Sequence, residues 1–198
     1  MPTHEPTALE IALKKERLAA YARVRGGYSV PLAGAVYWLG LGVLGYVTDL
    51  VGWAQIAFPA TGIIFPLAVF FGWALKNPWL KDKTATTSLM APVFISMLLF
   101  WVFIVAAINE APALIPLLLA VGMSFHWPAI GWSYGRTALF TAHAVVRALL
   151  CLYIFMAHPE HRLTWLPFSV AAVYLVTVIA IYVDSGAAAR RLASQSAA

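Results

Sequence analysis

Apolar residues in this chain come in six long runs, divided by short polar segments. About 20 mostly apolar helical residues are needed to cross a bilayer core, and the runs meet that length at about 29–48, 52–75, 88–108, 111–132, 137–157 and 163–183. Pro31 and Pro167 fall in the first turns of the first and sixth runs, where a missing N–H leaves no helical bond unmade. The second run follows a very short turn at Thr48-Asp49-Leu50, and the fourth follows Asn109-Glu110. The pattern predicts an all-α integral membrane protein with six transmembrane helices and an N-terminal cytoplasmic surface helix.

Residues 1–27 are polar and basic. Thr7 and Glu10 have capping-box spacing, in which each side chain satisfies a free backbone N–H of the other, so a helix is expected from about 8 to 25. Leu9, Leu13, Ala20 and Val24 fall on one side of it, interrupted by Glu16. Two readings stand for this helix: one lying on the membrane surface against anionic headgroups, and a plain helical extension. Its basic stretch is too long, and the next run too long, for a cleavable signal peptide. The expected organisation is residues 1–27 as the N-terminal helix, 28–185 as the six-helix domain and 186–198 as a cytoplasmic tail.

Composition supports lipid as the solvent. The chain is 62% hydrophobic and 11% charged, with a mean hydropathy of +0.82, whereas soluble domains carry about a quarter charged residues. A net charge of +5 suggests nucleic acid until its placement is considered. Five basic residues lie in the N-terminal segment, three at Lys76, Lys81 and Lys83, one at Arg136 and two at Arg190 and Arg191; the alternate polar segments hold only Arg162, with Asp49, Glu110 and Glu160. That asymmetry is a topology signal and predicts both termini in the cytoplasm. Trp38, Trp53, Trp73, Trp79, Trp127, Trp132 and Trp165 mostly fall near run ends and read first as interfacial anchors. Cys151 is the only cysteine, so no intramolecular disulfide forms.

Gly40-Leu41-Gly42-Val43-Leu44-Gly45 matches GxGxxG, but lies inside a spanning run rather than between a strand and a helix. Helix packing is the better reading there and for Gly131 and Gly135. In the second run, Pro59 and Pro66 flank Thr61-Gly62, and Gln55 precedes them by a turn. A kinked packing helix is favoured over a broken helix whose freed carbonyls line a site. The fifth run is the exception to the apolar rule. Arg136, Phe140, His143, Arg147 and Cys151 share one helical face, and Arg147 lies about 15 Å deep at 1.5 Å rise per residue. A central Arg costs about 2.5–3.5 kcal/mol on insertion scales and requires a partner, a wet cavity or a ligand. No carboxylate lies at its depth elsewhere in the chain. His126 is expected at a depth similar to that of His143. The candidate ligand-binding set is Arg147, His143 and His126, with Gln55, Thr61 and Tyr134, in a cavity between the second, fourth and fifth spans. Too few ligands surround it for a metal. No cofactor is expected, and no catalytic constellation can be named.

Ser29-Val30-Pro31-Leu32-Ala33-Gly34-Ala35-Val36-Tyr37-Trp38, Thr61-Gly62-Ile63-Ile64-Phe65-Pro66 and His126-Trp127-Pro128-Ala129-Ile130-Gly131-Trp132-Ser133-Tyr134 resemble a family of small bacterial multi-pass membrane proteins described only as a domain of unknown function. The resemblance implies a polytopic protein of a bacterial inner membrane and supplies no activity. Three functions remain open: binding or transport of a small anionic or lipid-like molecule, an intramembrane enzyme acting on lipid with His143 as base, and an accessory subunit whose Arg147 meets a partner's carboxylate. Expected partners are the bilayer, a small-molecule or lipid ligand, and another copy or another membrane subunit; nucleic acid is excluded. The topology has a direct check: an alkaline phosphatase reporter fused after Glu160 should be active, and one fused after Lys81 inactive.

Overall fold

The computed structural model describes residues 5–196, and all regular structure among them is helical. Six helices are long and apolar enough to cross a membrane: Arg25–Leu44, Leu50–Ala74, Thr87–Glu110, Pro112–Ser133, Thr137–Ala157 and Trp165–Gln195. They are numbered here as the first to the sixth span.

The N-terminal helix α1 (Ala8–Arg23) begins with the expected capping box. The Glu10 N–H donates to Thr7 Oγ1 at 3.3 Å, and the Thr7 N–H donates to Glu10 Oε2 at 2.7 Å. Only the far half of α1 docks on the bundle: Ala20 and Tyr21 are buried, while Leu9 and Ile11 are exposed. The expected stripe is thus used from Ala20 to Val24, and Leu9 lies outside the contact. A reversal at Arg25-Gly26-Gly27 separates α1 from the first span, and all three residues have positive φ. Gly26 is required there, since a Cβ would meet Ile181 at 2.3 Å in a conformation that L side chains rarely adopt.

The first span is the hub. Of its most apolar stretch 61% is buried, against 11% for the third span. It packs along the sixth span and the second half of the second, while the fifth packs on the fourth and the sixth. Between the first and second spans, the Tyr37 hydroxyl donates to the Ala57 carbonyl at 2.8 Å and the Trp53 indole N–H to the Leu41 carbonyl at 3.0 Å. Such bonds matter in lipid, where burial of apolar surface supplies little drive for helices to associate. The third span is peripheral and presents Val102 and Phe103 outward. In water this would be an aggregating patch; among acyl chains it is ordinary surface.

Several sequence readings change or sharpen. Gly42 faces the Phe168 ring and Gly45 the Leu163 backbone, so GxGxxG serves helix packing; Gly40 meets nothing within 4 Å. The second span stays helical through Pro59 and Pro66, tightening to a 3-10 turn at Thr61–Ile63, which is the kinked form. The real interruption is in the fourth span. Between Ile115–Gly122 and Trp127–Ser133 the backbone runs through turns, with the N–H groups of Ser124, Phe125 and Trp127 donating three residues back to Val121, Gly122 and Ser124. Trp38, Trp53 and Trp127 are buried between helices rather than placed as interfacial anchors, because large rings fill the space between packed spans. Trp73, Trp132 and Trp165 are exposed. The sixth helix continues to Ser196, so residues 186–196 of the stretch assigned to a tail extend it, and 197–198 lie outside the described residues. Its 32 residues span about 48 Å at 1.5 Å each, well beyond a hydrocarbon core of about 30 Å.

Most charged side chains gather at one end. Arg23 pairs with Asp82 at 2.8 Å and Arg136 with Asp184 at 2.5 Å. Asn77 donates to the Val24 carbonyl at 2.7 Å, and the Tyr21 hydroxyl to the Ile181 carbonyl at 3.4 Å. These contacts bring α1, the segment after the second span, the turn before the fifth and the distal sixth helix together.

The glycine contacts separate two otherwise similar substitutions. Gly45→Ala places a Cβ 2.1 Å from the Leu163 carbonyl oxygen and should lower stability by about 1–3 kcal/mol, the range for overpacking. Gly40→Ala, which meets open space, should leave stability equal or higher; thermal unfolding in detergent compares them.

Candidate functional site

Arg147 lies midway along the fifth span and is fully buried. The face read from spacing is the face the bundle uses: Phe140, His143, Arg147, Cys151 and Ile154 are the buried residues of this helix. The sixth span answers with a matching stripe, in which Val170, Tyr174, Thr177, Ile181 and Ser185 are all buried. Two helices with the same stripe spacing meet along a seam, and the polar groups of both fall on it.

Arg147 has no carboxylate partner among the described residues. Its Nη1 donates to the Tyr174 hydroxyl at 2.9 Å. The guanidinium carbon sits 5.1 Å from the centre of the Tyr174 ring and 5.5 Å from that of Trp38, both within cation–π range. Nε and Nη2 are buried and have no hydrogen-bond acceptor. Tyr174 lies this close to the first span because Gly34 has no Cβ; one would stand 2.7 Å from the ring.

His143 is one turn away on the same helix. Its Nδ1 is 2.8 Å from Thr177 Oγ1, and the Thr177 hydroxyl donates to the Val173 carbonyl at 2.7 Å. That hydroxyl has one hydrogen, so the network assigns the His143 proton to Nδ1, donating to Thr177. The Nε2 lone pair is then left buried without a partner. Trp127 stacks on the imidazole with ring centres 3.7 Å apart. It stands at the restart of the fourth span after the interruption, and its indole N–H, like that of Trp38, is buried and unpaired.

The expected residues divide. Arg147 and His143 share one network, which Trp127 extends to His126 with ring centres 6.1 Å apart. His126 Nδ1 is buried and unpaired, and its ring also lies 5.3 Å from Phe94 of the third span. Gln55 is exposed on the outer face of the second span. Thr61 is buried, but its hydroxyl donates to the Phe58 carbonyl of its own helix at 2.7 Å. Tyr134 lies at the basic end, between Tyr21 and Phe140. Burial, with Asp82 adding a smaller push, raises its hydroxyl to about 12, so it remains a neutral donor. The cluster therefore lies among the first, fourth, fifth and sixth spans rather than the second, fourth and fifth. The reason is packing: the first span, not the second, lies against the sixth.

Sequence reasoning missed Trp38, Trp127, Tyr174 and Thr177. A signal existed for the last two, since Tyr174 and Thr177 are three apart on an otherwise apolar helix, the same kind of evidence that singled out the fifth span. Trp127 gave none, because an indole near a run end reads equally as an anchor; Trp38 stands at the middle of its run, where an anchor reading fits poorly.

The fold and this buried seam define a polytopic helical membrane protein. The chain belongs to the family of unknown function DUF7010, whose model matches residues 13–184. No curated protein and no solved structure matches the chain significantly.

Thr177→Val keeps the shape of the side chain but removes the acceptor of the His143 Nδ1–H. It should destabilise the bundle by about 1–3 kcal/mol, the penalty for an orphaned buried donor, while Thr177→Ser should stay within about 1 kcal/mol of the parent protein; chemical denaturation in detergent reads both.

Proposed function

We propose that this protein binds a small anion at Arg147 within the bundle and carries it across a bacterial inner membrane, with both termini in the cytoplasm. The observation that carries the reading is a fully buried guanidinium with, among the described residues, no carboxylate partner and two unpaired N–H groups. Rings and one hydroxyl stabilise the cation but leave Nε and Nη2 without acceptors. A carboxylate or phosphate oxygen supplies what is missing, in the forked geometry that guanidinium favours. The unpaired indole N–H groups of Trp38 and Trp127 are further donors in the same network. The His143 and His126 nitrogens, unpaired as well, are further hydrogen-bonding positions in the same network.

Arg147 is closed over, so an anion reaches it only when the bundle parts. The interrupted fourth span is where that happens with least loss, since its three-residue bonds are poorer than those of a continuous α-helix, and irregular backbone at membrane depth is tolerated where it borders a site. Enclosure argues against the accessory-subunit reading, because a carboxylate on a neighbouring protein would have to pass between packed spans. The orientation rests on the basic residues at one end.

Arg147→Met is the informative variant. It leaves no carboxylate orphaned, so the bundle should unfold at the same temperature or higher, as buried charges replaced by apolar side chains often do. Thermal-shift titration with acetate, inorganic phosphate and sulfate should show at least one stabilising the parent protein, with the shift lost in the variant. Retained binding, or a variant that no longer folds, would overturn the assignment.

A further inference from the structure

A second polar feature lies at the basic end, away from the Arg147 seam. A cleft of 370 Å³ opens between α1 and the turn joining the fourth and fifth spans, with Lys14, Arg17 and Arg136 on its walls, together with Leu13, Leu18 and Glu10. Its charges are not equivalent. Arg136 is matched by Asp184 at 2.5 Å. Glu10 Oε2 already accepts from the N–H and hydroxyl of Thr7. Lys14 and Arg17 form no ion pair among the described residues. Arg17 is moreover fixed in place: its guanidinium lies 4.5 Å over the Trp132 ring, and its Nε is buried with no acceptor.

The position of Trp132 sets the level of the cleft. It is exposed at the last turn of the fourth span, where indole rings sit among lipid headgroups. Arg17, held over that ring, is at the same height. A ligand there meets two cations that form no ion pair among the described residues, and two leucine side chains, at once. Free phosphate matches the cations only. A phosphodiester joined to the start of its acyl chains matches both.

We propose that this cleft binds the phosphodiester headgroup of an anionic phospholipid, with Arg17 as the anchoring donor, Lys14 as the second charge, and Leu13 and Leu18 against the first methylenes of its acyl chains. The site is independent of Arg147 and uses no residue of that network. It gives α1 a function: its residues 13–18 and the turn before the fifth span together form a lipid seat at the rim of the bundle.

The test uses the full chain, delipidated in dodecyl maltoside and titrated with short-chain phosphatidylglycerol, phosphatidylcholine and inorganic phosphate. Thermal shift and native mass spectrometry of adducts are the readouts. Phosphatidylglycerol should stabilise the protein and remain bound, while phosphatidylcholine should not. Lys14→Gln, an exposed change that leaves folding intact, should weaken phosphatidylglycerol binding about fivefold, the effect of one basic residue near an anionic surface. Arg17→Gln should weaken it further, and Lys15→Gln, on the same helix but outside the cleft, should bind as the parent does. The proposal is overturned if Lys14→Gln binds unchanged, if Lys15→Gln weakens binding equally, or if inorganic phosphate stabilises as well as phosphatidylglycerol at equal concentration. Should Arg17→Gln fail to fold, the comparison of Lys14→Gln with Lys15→Gln decides alone.

Discussion

A guanidinium in the middle of a hydrocarbon slab has to be stabilised by something, and here the stabilising groups are ring faces and one phenol oxygen. Placing Arg147 at this depth costs about 3 kcal/mol on insertion scales. A hydrogen bond to a charged group returns about 1.5–3 kcal/mol, and each desolvated ring face about 1–2. Those contributions offset the cost without any opposite charge, so the bundle holds together with the site empty. They do so while leaving two N–H groups unpaired. An ion pair would have satisfied Arg147 and closed the question of a ligand. The rings satisfy its charge and leave its hydrogen-bonding capacity open.

The surrounding helices are arranged around that requirement. The first span is small-residue-rich where Tyr174 crosses it, so the sixth span comes close enough for its phenol to reach Arg147. The sixth span places Thr177 one turn on, where it fixes the His143 proton on Nδ1. The fourth span is interrupted just before Trp127, which lets the indole lie flat on the His143 ring. Each helix that touches the seam therefore departs locally from a plain apolar span. The third span, which takes almost no part, is the most uniformly apolar and the least buried.

The two candidate sites differ in how strongly the protein has committed to them. At Arg147 the cation is wholly desolvated, so an anion there interacts at low effective dielectric. At the α1 cleft, Lys14 stays in water and Arg17 is only partly withdrawn, so binding there is weaker, salt-sensitive and readily exchanged. A central site reached only by parting helices and a peripheral seat for lipid are different kinds of recognition on one small bundle.

The six spans, the capping box at Thr7 and Glu10, and the shared face of His143 and Arg147 were all legible in the sequence. Each depends on a property local to one segment: apolar length against bilayer thickness, hydrogen-bonding reach across one turn, or the 3.6-residue period. What the sequence left open was which helix each face meets. In lipid both faces of a span are apolar, so periodicity gives no contrast between a lipid-facing side and a packed one, and Gln55 reads as readily inward as outward. Tertiary structure decided that the first and sixth spans, not the second, enclose Arg147, that Trp38 and Trp127 are walls of the seam rather than anchors, and that the interrupted helix is the fourth. Those outcomes follow from shape fit between whole helices, with Gly34, Gly42 and Gly45 setting how closely the first and sixth can approach. No window of sequence contains that fit.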